Sequence, residues 1–187
     1  MENHVDKKEK GLVSTILGWI LYFAVIVGLT YFIITYVGQR TMVSGDSMET
    51  TLSNGDNLIV DKLSYRFRDP ERFDIIVFPY KYEEKTYYIK RIIGMPGETI
   101  QIIDGYVYID GELLESDIYG NEVMEYANLA ATPIPLGEDE YFVLGDNRNH
   151  SSDSRDPSVG VLTREDLIGR AWIRIYPFDE MGAIRHE

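Results

Sequence analysis

The sequence predicts a mainly β protein in which one N-terminal transmembrane helix precedes an antiparallel β-rich domain. Three observations carry that prediction. Residues 11–39 form an uncharged stretch of 29 positions, GLVSTILGWILYFAVIVGLTYFIITYVGQ. From Arg40 onward the apolar residues alternate with polar ones instead of recurring every third or fourth position. Asp-Gly pairs at 104–105 and 110–111 punctuate the alternating runs as hairpin turns do.

The chain divides into a tail (1–10), an anchor (11–39) and a folded domain (40–187). At roughly 1.5 Å per residue the uncharged helix exceeds the ~30 Å core of a bilayer. Trp19 and Tyr22 toward one end, Tyr31 and Tyr36 toward the other, suit the two interfaces. A cleaved leader has an apolar region of only about 7 to 15 residues, so this run is expected to be retained. Lys7, Lys8 and Lys10 precede it and Arg40 stands alone after it. The positive-inside rule places the tail in the cytosol and 40–187 on the extracytoplasmic face.

Strands are expected at 57–61, 74–78, 87–93, 99–103, 106–109, 140–144 and 171–176, all rich in β-branched and aromatic residues. Asp104-Gly105 supplies the positive φ angles of a type I′ turn. Thr163 followed by Asp166 is a capping pattern for one helical turn. Residues 115–138 lack periodicity and contain Gly120, Pro133 and Pro135, which predicts an excursion from the core.

Composition narrows the function. Eighteen Lys+Arg against 31 Asp+Glu give a net charge of −13, which excludes a general nucleic-acid binder. With no cysteine, disulfide scaffolds, thiolate metal sites and cysteine nucleophiles are excluded. No metal or cofactor is expected.

Three segments carry possible chemistry. Ser44-Gly45-Asp46-Ser47-Met48 has small residues before Ser47 that let a substrate backbone approach, although Gly-Asp-Ser is also common in plain turns. Glu49 stands where a G-x-S-x-G elbow needs its second glycine. A serine needs a base, and of three histidines only His150 is placed to serve; His4 lies in the tail and His186 close to residue 187. Lys90 interrupts an apolar strand, with Tyr88 and Ile92 on its own face. It either snorkels, pairs with a carboxylate, or is held neutral by burial as a usable base. The segment from Gly145 to Arg155 fails the EF-hand template at Ser151 and Pro157, but offers hydroxyls and an Asp153/Arg155 pair.

In this order behind an anchor, these segments resemble the type I bacterial signal peptidases, membrane-anchored serine proteases with a Ser/Lys dyad. Ser47-Met48 with Thr51-Leu52 and Gly55-Asp56 resembles the nucleophile box, and Arg72 to Phe78 the strand that follows. Tyr88-Ile89-Lys90-Arg91-Ile92-Ile93-Gly94-Met95-Pro96-Gly97-Glu98 is similar to the lysine box. Gly145-Asp146-Asn147 with Ser151 and Asp153-Ser154-Arg155 is similar to the last box. The resemblance implies Ser47 as nucleophile, Lys90 as general base, Ser151 orienting the amine, and Asp153 and Arg155 bracing the loop. Gly45 stands where some members carry a serine that assists the oxyanion, which leaves that task to the Ser47 N–H together with either Ser44 or a water. Thr50 stands where proline is frequent in the family.

The resemblance also implies signal peptides of exported preproteins as substrates, cut after small residues as in Ala-x-Ala. Met48, Leu52, Tyr88 and Ile89 match the −1 pocket; Val43, Leu58 and Val77 match the −3 pocket, with Ile89 shared. The shortness of the chain between Gly94 and Gly145 and the single anchor are similar to the Gram-positive form. A monomer in the bacterial cell membrane is expected; the basic run Lys62, Arg66, Arg68 and Arg72 either rests on anionic lipid headgroups or is a plain exposed β-connection. The competing expectation is a catalytically inactive anchored β-domain that binds exported chains; the presence of both Ser47 and Lys90 speaks against it.

Overall fold

The structure, a computed structural model, describes residues 2–84 and 86–186, with side chains of the N-terminal helix described from Ser14. Two compact units result, Met1–Gly38 and Gln39–Glu187.

The first unit is helix α1 (Glu2–Phe32), continued by a π-helical turn, Ile33–Val37. The stretch Ser14–Val37, 24 residues, is long and apolar enough to cross a membrane. At about 1.5 Å per residue it measures about 36 Å. The helix starts at Glu2 and so takes in residues assigned to the tail. It also stops short of residue 39, because Gly38 turns to extended backbone and opens a strand.

The second unit holds strands β1 (Gly38–Met42), β2 (Asn57–Asp61), β3 (Ile75–Pro79), β4 (Tyr87–Gly94), β5 (Thr99–Ile103), β6 (Tyr106–Ile109), β7 (Glu112–Leu113), β8 (Ile134–Pro135), β9 (Glu140–Leu144), β10 (Leu162–Thr163), β11 (Gly169–Tyr176) and β12 (Gly182–Ala183). A large sheet runs β1-β2-β11-β3-β4-β9-β10, with β12 also on β11, and a small one runs β7-β6-β5-β8. The β2–β11, β11–β3, β3–β4, β4–β9 and β5–β6 ladders are antiparallel. The protein is thus mainly antiparallel β behind one apolar helix.

Each strand expected from alternation is present, with ends displaced by two residues or fewer. At the β5–β6 turn Asp104 has φ 51° and Gly105 φ 83°, the paired positive angles of a type I′ turn. Thr163 caps a 3₁₀ turn over Arg164–Asp166, with its backbone N–H donating to Asp166 Oδ2 at 2.7 Å. Residues 115–138 hold only a 3₁₀ turn (Asn128–Ala131) and β8 as regular structure, yet they do not leave the core. Their Met124, Ala130 and Leu136 pack with Ile93, Ile100, Ile102, Phe142 and Leu144 between the small sheet and the large one.

Strand β4 is the organising element. It lies between β3 and β9 and is buried on both faces from Ile89 to Gly94. Ile89 belongs to a cluster with Val43, Met48, Leu52, Leu58, Ile75 and Val77. Ile92 belongs to another with Ile76, Phe78, Tyr141 and Val143. Burying one such aliphatic side chain contributes about 2 kcal/mol, so the strand that carries Lys90 is held from both sides. Two members of the basic run have partners within the domain: Arg68 pairs with Glu71 and Asp74, and Arg72 with Glu98.

Candidate active site

The segment after β1 folds into a turn because its ends and its apolar side chains are fixed. Val43 N–H donates to Asp56 O at 2.8 Å and Gly55 N–H to Val43 O at 2.9 Å. Within the turn Leu52 N–H donates to Met48 O at 2.8 Å, while the Met48 and Leu52 side chains are sunk in the core. Ser47, half-buried, is left at the mouth of the turn. Gly45 has φ 94° and donates its N–H to Asn54 Oδ1 at 3.1 Å.

Lys90 rises from β4 toward this turn and is only 3% exposed. Its Nζ lies 2.8 Å from Ser47 Oγ and 2.9 Å from Ile89 O, with the Tyr88 ring centroid 5.1 Å away. Burial lowers its pKa from 10.5 to about 8, with the charges of Asp153 and Asp146 acting in the opposite direction. Desolvation wins because neither carboxylate makes a hydrogen bond to the amine and each is committed to an arginine. At pH 7 about a tenth of the amine is then neutral, against roughly one part in 3,000 for an ordinary lysine.

The loop after β9 closes the site from the other side. Asn147 N–H donates to Ser47 O, and Asn147 Nδ2 to Asp46 O, both at 3.1 Å. Asp153 accepts from Gly145 N–H at 3.1 Å and holds Arg155 through Nε (2.8 Å) and a terminal nitrogen (2.9 Å). Ser151 Oγ is buried and has no hydrogen-bond partner; the amine's bonds go to Ser47 and Ile89 instead. Ser151 is packed against Gly145, where a Cβ would stand 2.3 Å from Ser151 Oγ and 2.5 Å from Ser47 O. Only glycine fits that crossing.

A cleft of about 280 Å³ opens over the pair, lined by Val43, Ser44, Gly45, Ser47, Met48, Tyr88, Ile89 and Lys90, with His150 and Ser152 at its edge. Four of the seven predicted pocket residues thus face it. Leu52, Leu58 and Val77 do not; they form the core layer behind Val43, Met48 and Ile89. His150 is exposed and Ser47's near neighbour is the lysine. Among the described residues no group of three or more His, Asp or Glu side chains is placed to share a metal ion.

Arg91, Asp146 and Thr51 carry a role that spacing did not assign. Arg91 is fully buried and bidentate to Asp146, at 2.8 and 2.7 Å. Thr51 Oγ1 donates to the same carboxylate at 2.5 Å, and the Tyr119 ring lies 3.7 Å from the guanidinium carbon. This cluster ties the serine turn, the lysine strand and the closing loop together. A charge inside an apolar strand signalled a buried partner at Arg91, yet nothing in the spacing chose Asp146 among 31 acidic residues.

A sequence profile described as signal peptidase, peptidase S26, matches residues 16–176. The chain belongs to this family. It is 40% identical over 156 residues to the "Probable signal peptidase I-2" of a Synechocystis species, covering 80% of this chain and 68% of that one. It is 34% identical over 186 residues to "Signal peptidase I P" of Bacillus subtilis subsp. natto, covering 96% and 97%. A crystal structure of a signal peptidase I from Enterococcus faecalis V583 aligns with a TM-score of 0.43 and 34% identity, over 55% of this chain and 97% of that one. The span matched by the family profile contains Ser47, Lys90 and the whole loop from Gly145 to Arg155.

Proposed function

We propose that this protein is a membrane-anchored serine endopeptidase that removes N-terminal signal peptides from exported preproteins, cutting after small residues in the Ala-x-Ala pattern. Signal peptide removal is the activity expressed in the names of its relatives. The observation that carries the mechanism is the 2.8 Å approach of a buried, pKa-depressed lysine amine to a serine hydroxyl on the floor of an open cleft.

In the first step the neutral Lys90 amine takes the Ser47 proton as Oγ attacks the scissile carbonyl. The oxyanion forms against the Ser47 N–H, with Ser44 beside it in the cleft wall. The Lys90 ammonium then gives its proton to the departing amine, which frees the mature chain. A water molecule, deprotonated by the same amine, hydrolyses the acyl-enzyme. Ser151 packs on Gly145 beside the Ser47 carbonyl, and the Asp153–Arg155 pair keeps the loop in register. Val43, Met48, Tyr88 and Ile89 form apolar walls that admit an alanine methyl and exclude larger side chains by overlap, with Leu52, Leu58 and Val77 holding those walls from behind. The span Ser14–Val37 crosses the membrane, with the N-terminus in the cytosol and the catalytic domain on the extracytoplasmic face.

The test is cleavage of an Ala-x-Ala preprotein by the purified full chain in detergent. Ser47→Ala lowers the rate by about 10³-fold or more while the melting transition is retained. Lys90→Arg is equally inactive, because guanidinium stays protonated. Full activity in either variant removes the corresponding role.

A further inference from the structure

His186 stands far from Lys90 in sequence, but the fold brings it beneath the same ladder. Strand β12 pairs with β11, aligning Ile173 with Ala183. Ile184 N–H donates to Trp172 O at 2.9 Å, and its side chain enters the cluster of Val43, Met48, Leu52 and Ile89 that backs the cleft. His186 then turns inward, where β3 and β11 part. Their ladder contains Gly169↔Val77 and Arg170↔Ile76, and its continuation would align Ala171 with Ile75. At that position His186 Nδ1 accepts the Ile75 N–H at 2.9 Å, and the ring N–H donates to the Ala171 backbone. Tyr119 O–H donates to His186 O at 3.1 Å and closes the strap.

We propose that His186 is a positioning residue for Lys90: its imidazole completes the β3–β11 ladder and so fixes the strand pair on which the amine stands. In the β3–β4 register Ile75 aligns with Arg91 and Ile76 with Lys90. The imidazole therefore acts one residue pair from the lysine, and at the pair whose arginine holds Asp146 and the closing loop. Only the neutral ring with its proton on Nε2 serves, since Nδ1 must accept while the other nitrogen donates. Burial and the Arg170 charge lower its pKa to about 4, with Arg91 acting the same way and Asp74 opposing. Asp74 Oδ1 lies 3.7 Å from Nδ1 but only 2.7 Å from Arg170 Nε, and Arg68 stands 3.6 Å from its other oxygen. The carboxylate is thus shared among cations, and the ring stays neutral over the working range.

The activity readouts of this inference rest on the Ser47/Lys90 reading, so the deciding measurement is one that does not require cleavage. In the full chain in detergent micelles, labelled with ¹³Cε-lysine, the Lys90 signal is followed by NMR from pH 6 to 11. In His186→Ala the Lys90 midpoint rises by about one pH unit as the ladder loosens and water reaches the amine. In parallel kcat at pH 8 falls roughly fivefold with KM nearly unchanged. His186→Gln, whose amide offers both an acceptor and a donor, restores the midpoint and the rate. Tyr119→Phe, which removes only the last hydrogen bond of the strap, moves the midpoint the same way by less and keeps the proposal testable if His186→Ala does not fold. A lower melting temperature with an unmoved Lys90 midpoint in the folded variants would overturn the proposal and leave His186 a packing residue. A wild-type chain that cleaves no preprotein would overturn the hydrolase reading, while the lysine titration would still decide this one.

Discussion

Replacing Lys90 with methionine is expected to stabilise the folded domain at neutral pH, although it removes the group assigned as base. Burial lowers the lysine pKa from 10.5 to about 8. At about 1.4 kcal/mol per pH unit, a charged Lys90 costs the folded state on the order of 3 kcal/mol at any pH below 8. Methionine has a similar length and no charge. Loss of the 2.8 and 2.9 Å contacts to Ser47 Oγ and Ile89 O returns about 1 kcal/mol. The net gain is about 2 kcal/mol, or roughly 4 to 8 °C in Tm for a domain of this size. The sign has its own signature. Between pH 8 and 10.5 the unfolded chain still holds the lysine proton and the folded one has released it, so wild-type stability rises with pH and the gap to Lys90→Met closes. Thermal unfolding of both full chains in detergent, followed by circular dichroism from pH 6 to 11, measures this. A variant less stable than wild type at pH 7, or a gap that stays constant to pH 11, would refute the assignment of a desolvated amine.

Other perturbations probe the surroundings. If Lys90 is the base, kcat/KM for a preprotein falls about tenfold per pH unit below pH 8; a rate unchanged down to about pH 4 contradicts it. Gly145→Ala forces a methyl into the backbone carbonyl of Ser47 and the Ser151 hydroxyl, and activity is expected to fall more than about tenfold with the fold retained. Wild-type kinetics in that variant would show that the crossing is loose. Asp146→Asn leaves the Arg91 charge buried and costs about 3–5 kcal/mol in a denaturant titration. In a double-mutant cycle with Arg91→Met the combined loss is smaller than the two separate losses, because the second change removes the stranded charge.

The sequence was legible wherever a local rule had one outcome. Alternation over four or more residues located β2 to β6, β9 and β11, and Asp104-Gly105 announced its turn, since few residue pairs tolerate two positive φ angles in succession. Strands β7, β8, β10 and β12 are two residues long, too short for a period to register, and exist because an adjoining longer strand completes each of them. The 2.8 Å meeting of Ser47 and Lys90 followed the ordered boxes, but Ser151 was expected at the amine and instead packs on Gly145. A hydroxyl's direction depends on rotamers that spacing does not encode. Arg91, Asp146 and His186 were missed for a related reason. Each acts through a partner 55 or more residues away, and an isolated charge or imidazole in a sequence does not name its counterpart.

Arg148 and Asp117 join the closing loop to the segment between β7 and β8 of the small sheet. Both are almost wholly buried, with the guanidinium bidentate at 2.7 and 2.6 Å and its Nε donating to Gly145 O. Neither can be altered singly without leaving an uncompensated ion in the interior, whereas a joint exchange for two apolar side chains of matching volume is nearly free. Positions 117 and 148 are therefore expected to covary in descendants of this chain. A lineage that trims the connection between β7 and β8 must also retire the arginine, or lose the shape of the loop from Gly145 to Arg155.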